Sequence, residues 1–503
     1  MQGYPHDRGA PGVFADAGGT MCCQQGSAQR ETGLTRLLHA AICTLIFIFF
    51  FGESLISYGV LPDLANFVPE LVILGLCAVI SVKRASHEPQ SKPVGLPFVY
   101  MLVGVTILSA IWMERSPLSV VLFLRLLVRF YLLYWAVIRF EVSEERLRWY
   151  LSVVMILMVI QIPTAAVKCA IYGQGESAIG TYATSGGGNS TAIPMVAAGF
   201  LLTYHWTYRR SHCFLFGIVA FTAFGLIGGK RAVFVMVPLT CFLTAINAHD
   251  FALGDRHIPI RHYVLAGVAG VIIFYVGVRL CPTLTPEGEV WGSFDLDHVY
   301  SYVVQYGTGE SQDGYTIGRF SSTLRSVESV IGDGMTAAMG FGPGRAMKSR
   351  FAGAGREQSI GVRGGGYMGG DAELGIMYGT TGFSWLLLQI GFVGAVVWLG
   401  LYVYLGAVLR RMARQEGDPF WRSYYLSMVC FTIVVVLLSI TYGSYMIAGD
   451  LMTFLYFLLL GIGFLRKKEV EGTELSGFVD ETFSGGECYD DFCEGDFANE
   501  SWR

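Results

Sequence analysis

Apolar runs of about 17 or more residues recur along most of this chain, separated by short polar connections. That length is what an α-helix needs to cross a hydrocarbon core of about 30 Å. The runs predict twelve spans, over residues 34–51, 66–82, 96–113, 118–138, 149–171, 190–208, 213–228, 232–248, 262–281, 383–409, 424–442 and 448–465. One connection breaks the rhythm: residues 282–373 form a polar, glycine-rich stretch with no run long enough to span. Residues 1–32 carry Gly, Ala and Gln without apolar periodicity and read as a disordered tail. The first apolar run comes too late for a signal peptide, and no small-residue cleavage site follows it, so the first span is expected to remain as an anchor. The expected fold is an all-α polytopic membrane protein of about twelve transmembrane helices. Its parts are a cytoplasmic tail 1–32, spans one to nine over 33–281, a large, partly helical outside loop 282–373, spans ten to twelve over 374–465, and an acidic disordered tail 466–503.

Composition agrees with a membrane protein. Of 503 residues 53% are hydrophobic and 15% are charged, where soluble domains carry nearer a quarter charged. Mean hydropathy is +0.50. The net charge of -4 says little, because charge is sorted by topology. Lys83, Arg84 and Lys92 follow span two, Arg139, Arg146 and Arg148 span four, Arg209 and Arg210 span six, and Arg256 and Arg261 span eight. Arg410, Arg411, Arg414 and Arg422 follow span ten, and Arg466, Lys467 and Lys468 span twelve. The positive-inside rule puts every even connection, and both termini, in the cytoplasm, with loop 282–373 outside. The eleven cysteines form no CxxC pair and none lies in that loop; no Cys or His spacing suits a metal. The tail alternates acids with Phe478, Phe483, Phe492 and Phe497, which reads as a solvated tail before it reads as a docking segment.

The outside loop divides by charge. From Pro282 to Gly318 there is no Lys or Arg; from Arg319 onward come Arg319, Arg325, Arg345, Lys348, Arg350, Arg356 and Arg363. Other cations break the topology rule. Lys168 and Arg279 lie near the outer ends of spans five and nine, and Lys230 and Arg231 sit in an outer turn, Gly228-Gly229-Lys230-Arg231. Arg125 and Arg129 lie within span four on one helical face. A charge near the bilayer centre costs at least about 2.5 kcal/mol, so it needs a partner. The plain explanation is pairing with Glu53, Glu70, Glu114 or Asp450; taken together, the set favours an outward-facing anionic site, for which bidentate guanidinium donors suit phosphate oxygens. Gly229-Lys230 is not a nucleotide loop, because the upstream glycine is missing and Arg231 stands where Ser or Thr belongs. The runs Gly186-Gly187-Gly188 and Gly364-Gly365-Gly366 are linkers or flexible outer loops.

This arrangement resembles the bacterial O-antigen ligase and polymerase superfamily, over roughly residues 34–465. The resemblance rests on twelve spans, both ends inside and one large loop between spans nine and ten, and on three short stretches. These are Gly229-Lys230-Arg231-Ala232; Gly318-Arg319-Phe320 through Arg325-Ser326-Val327-Glu328 with Gly340-Phe341-Gly342-Pro343-Gly344; and the return segment from Asp371 to Gly382, containing Tyr378-Gly379-Thr380-Thr381-Gly382. Ligases of the family carry a His at the start of the return segment. Here no His follows His298, and Asp371 and Glu373 stand near that place, which favours a polymerase.

The resemblance implies a glycan on a polyprenyl diphosphate, presented at the outer face of the inner membrane, and a metal-independent glycosyltransferase without a cofactor. A lipid diphosphate is already a good leaving group, so the need is to stabilise its growing charge. Lys230, Arg231, Arg319 and Arg325 are the candidate diphosphate ligands. Arg125, Arg129, Lys168, Arg279 and Arg345 are further candidate contacts, and Asp371 or Glu373 the candidate base for the acceptor hydroxyl. Both acids also suit a helix start. Polysaccharide export or chain-length proteins are candidate partners beside the bilayer; nucleic acid is not expected. The alternatives are a ligase passing the glycan to another acceptor, and a transporter or flippase of lipid-linked glycan. Against the last stand the absence of two repeated halves and a large loop in one half only.

Overall fold

The apolar runs fold as helices. The structure, a computed structural model, describes residues 33–84, 93–140, 142–175, 177–183, 188–251, 260–309, 318–344, 381–442 and 451–483. The helices are α1 (Gly33–Phe47, continued by a π turn Ile48–Gly52 and Glu53–Ser57), α2 (Val68–Arg84), α3 (Leu96–Trp112), α4 (Pro117–Val137), α5 (Glu144–Tyr172), α6 (Asn189–Thr207), α7 (His212–Ile227), α8 (Val233–Ala248) and α9 (Ile260–Leu280). Three shorter helices follow in the loop: α10 (Leu296–Thr308), α11 (Arg319–Ile331) and α12 (Gly334–Met339). The chain then returns through α13 (Gly382–Gln415), α14 (Pro419–Thr441) and α15 (Leu451–Phe483). Each of the twelve apolar runs overlaps one of these helices. Among the described residues seven helices are long and apolar enough to cross a membrane: those at α1, α2, α4, α5, α8, α13 and α14. Apolar α3, α7 and the Gly270–Leu280 part of α9 are shorter. α15 continues as a helix past the expected end of its span at Leu465 to Phe483, through a stretch of Lys and Glu, which are good helix formers.

Local sequence sets the ends. Ser116 caps α4, accepting from the Ser119 N–H, with Pro117 at the first helical position. Asp418 and Pro419 repeat the arrangement at α14. α13 and α14 form the centre, with 61% and 72% of their apolar windows buried against 28% for α2 and α5. Trp385, Trp421, Tyr424 and Tyr456 fill that core. Small residues let α6 pack closely, Gly199 lying against Cys430 and Ala198 being fully buried.

Connections expected on one side meet at one end of the bundle. Arg148 joins both Glu144 and Asp418, and Arg466 reaches Glu144 at 2.6 Å. Arg410 reaches Asp250 at 3.2 Å.

α13 is broken. Ile390 and Gly391 leave helical geometry, Gly391 at φ 64° and ψ −169°. Into this break fits the loop's Gly340-Phe341-Gly342-Pro343-Gly344 turn. The Phe341 N–H donates to the Leu388 carbonyl (2.8 Å), the Gly344 N–H donates to Gln389 Oε1 (2.6 Å), and Ser109 Oγ donates to the carbonyls of Met339 (2.6 Å) and Gln389 (3.2 Å). Arg115 donates through Nε and Nη2 to the Phe341 carbonyl (3.0 and 2.8 Å). The loop thus satisfies polar groups that a broken helix would leave unpaired. Beyond the break, residues 392–415 make a helix about 36 Å long, enough to span alone.

Candidate functional site

The basic turn is fixed at both ends. Gly229 takes φ 68°, a left-handed conformation that suits glycine. The Lys230 and Gly229 N–H groups cap the carbonyls of Gly225 (3.1 Å) and Leu226 (2.9 Å), closing α7. Gln174, at the end of α5, adds a donor to Leu226 (3.0 Å). Lys230 is thereby buried, and Arg231 points toward the loop. Its guanidinium lies over the ring of Tyr302 on α10, 4.7 Å from the centroid, with Tyr306 stacked beyond it. Its Nε is buried with no hydrogen-bond acceptor among the described residues.

α10 is held in place by its own chemistry. Asp295 caps it, accepting from the N–H groups of Asp297 (2.8 Å) and His298 (3.3 Å). Val299 is buried in a small cluster with Phe234, Val278, Cys281 and Leu284, at the adjoining ends of α8 and α9.

α11 brings the second arginine. Its face Ser322, Ser326 and Val330 is buried. Thr323 accepts from Ser384 (3.0 Å) and lies 3.3 Å from Thr381, the cap of α13. Arg319, the first residue of α11, lies 3.7 Å over the ring of Tyr442, which follows α14. Its Nη1 is buried and has no acceptor among the described residues. Tyr302, which holds Arg231, and Arg319 itself belong to one loop hairpin: Ser321 Oγ donates to the Thr308 carbonyl (3.0 Å) and the Gly318 N–H to Gly309 (2.8 Å). Tyr302 and Gly309 are about 10 Å apart along α10.

The other cations expected at the site have protein partners. Arg125 and Arg129 both reach Glu70 on α2, the former at 2.9 Å, and stack over Phe67 and Phe130. Lys168 donates to the carbonyls of Gly180 (2.8 Å) and Ala183 (3.4 Å). Arg279 donates to the carbonyls of Gly292 (2.9 Å) and Trp291 (3.1 Å). Arg325 is half-buried on α11. Asp371, Glu373 and Arg345 lie outside the described residues.

Nearby acids serve their own turns. Ser293 donates through its N–H (2.9 Å) and its hydroxyl to Glu287, which holds that carboxyl below its ordinary range. Asp333 caps α12, accepting from the Thr336 N–H (3.0 Å) and hydroxyl (2.9 Å), and is lowered for the same reason. Among the described residues, Arg231 and Arg319 each face an aromatic ring rather than a carboxylate. A guanidinium held by its face keeps its edge for an oxyanion.

Neither tyrosine was singled out by sequence reasoning. Their signals were faint: Tyr302 is one of several tyrosines in a stretch without basic residues, and Tyr442 ends a span. No protein-family model matches the chain, and no curated protein matches it either.

Proposed function

We propose that the chain is a twelve-span membrane glycosyltransferase that polymerises polyprenyl-diphosphate-linked glycan units, similar to the O-antigen ligase and polymerase superfamily. In this reading both termini are cytoplasmic and residues 282–373 face outward at a bacterial inner membrane. The observation that carries it is the pair Arg231 and Arg319. Each is ring-stacked, each has a buried guanidinium nitrogen without an acceptor, and neither has a carboxylate partner among the described residues. Two such groups, one on the α7–α8 turn and one on the loop that packs against it through Tyr302, suit a diphosphate.

In the reaction, an acceptor sugar hydroxyl attacks the anomeric carbon of the donor glycan. The new C–O bond forms as the bond to the diphosphate breaks, and the diphosphate leaves with the electron pair. Arg231 and Arg319 stabilise the charge that grows on it, and Lys230 adds positive potential at the turn. The hydroxyl proton passes to Asp371 or Glu373.

The test uses purified full chain in nanodiscs, supplied with a polyprenyl-diphosphate-linked oligosaccharide and no nucleotide. Longer lipid-linked glycans and released polyprenyl diphosphate are expected. Unextended glycans, with intact lipid-linked donor crossing the bilayer of sealed proteoliposomes that carry the same protein, would make the chain a transporter instead.

A further inference from the structure

Helix α10 has three faces of different chemistry. At about 100° per residue, Val299 and Tyr302 share one sector; Val299 is 6% exposed and packs on the ends of α8 and α9. Roughly a quarter turn around lies a second apolar sector, Leu296, Tyr300 and Val303, exposed by 60, 71 and 58%. The remaining arc is polar, with Asp297, His298, Ser301 and Gln305, apart from Val304 at its border with the apolar stripe. A loop helix bathed in water on both open sides would not carry that second stripe.

Its surroundings say what covers it. Val299 shares its cluster with Val278, in the last turn of α9, and Phe234, in the first turn of α8. α10 therefore lies level with the ends of those helices. α9 carries exposed apolar residues of its own, Val264, Val268, Val271 and Tyr275. Tyr275 meets Phe294, just before α10, with ring centroids 5.0 Å apart. Arg279 stacks near both Tyr275 and Trp291, and Trp291 is 55% exposed. Aromatic rings with an arginine at a helix end mark the boundary between hydrocarbon and headgroups.

We propose that α10 lies along the membrane surface, with Leu296, Tyr300 and Val303 in the hydrocarbon edge of the outer leaflet, Val299 against the bundle, and the Asp297–Ser301–Gln305 arc toward water. The contact is apolar: residues 282–318 contain no Lys or Arg, so anionic lipid is not required. The face that carries Tyr302 to Arg231 is thereby set at a fixed depth.

The experiment places the photocrosslinker p-benzoylphenylalanine singly at positions 300, 303, 301 and 305 of the full chain, in nanodiscs of neutral phosphatidylcholine. Lipid adducts are counted by intact-protein mass spectrometry. Positions 300 and 303 are expected to give at least about threefold more lipid adduct than 301 and 305. All four side chains are exposed in the structure, and two positions per sector keep the comparison readable if one incorporation fails. Equal yields in the two sectors would overturn the proposal. So would adducts from 300 and 303 that join two copies of the chain, which would make the stripe a protein interface.

Discussion

Gly340 and Gly391 lie back to back. A Cβ on Gly340 would sit 2.6 Å from the Gly391 nitrogen, and a Cβ on Gly391 would sit 2.6 Å from the Gly340 nitrogen. Both glycines have positive φ with ψ near −169°, a region that only glycine occupies readily. This contact joins the arginine-bearing loop to the break in α13. Gly340→Ala and Gly391→Ala should each lower stability by roughly 1–3 kcal/mol from backbone strain alone. The two positions share one contact, so the double variant should lose less than the sum of the singles. Thermal unfolding of the four proteins in detergent checks this; strictly additive losses would mean that the glycines act independently.

Tyr442 holds Arg319 by its ring, not by its hydroxyl. Tyr442→Phe should therefore leave Arg319 in place, while Tyr442→Leu should release it, a loss of about 0.5–2 kcal/mol. The check is donor affinity of both variants. A Phe variant as weak as the Leu variant would assign the role to the hydroxyl instead.

Glu70 serves two guanidiniums. Its side chain is 11% exposed, and those of Arg125 and Arg129 are 22% and 9% exposed. Glu70→Gln should destabilise the protein by roughly 3–5 kcal/mol, because buried charge loses its counterion. Replacing all three by apolar residues of similar size should be milder than Glu70→Gln alone. Unfolding midpoints of the single and triple variants decide it. A harmless Glu70→Gln would contradict a structural role for the triad.

The helices were legible because the bilayer demands long apolar runs, and each run expected to span overlaps a helix. The break in α13 was not. Gly391 sits among apolar neighbours and looks like any glycine of a membrane helix; only the incoming turn, some fifty residues earlier, gives it meaning. The candidate site was legible in part. Charge against the topology rule pointed to Arg125, Arg129, Lys168, Lys230, Arg231 and Arg279 alike, but sequence spacing cannot say which cation meets which acceptor across a bundle. The structure separates them. Glu70 takes Arg125 and Arg129, and backbone carbonyls take Lys168 and Arg279. Arg231 and Arg319 meet tyrosines, whose rings carry no charge signal in a sequence.

The most direct measurement is the affinity of the purified full chain for polyprenyl diphosphate, beside Arg231→Ala and Arg319→Ala. Each charge-assisted hydrogen bond contributes about 1.5–3 kcal/mol, so each substitution should weaken binding about ten- to a hundredfold. Neutral polyprenol should bind all three proteins alike. Diphosphate affinity unchanged in both arginine variants, in protein that still elutes and unfolds as wild type does, would contradict the proposed site.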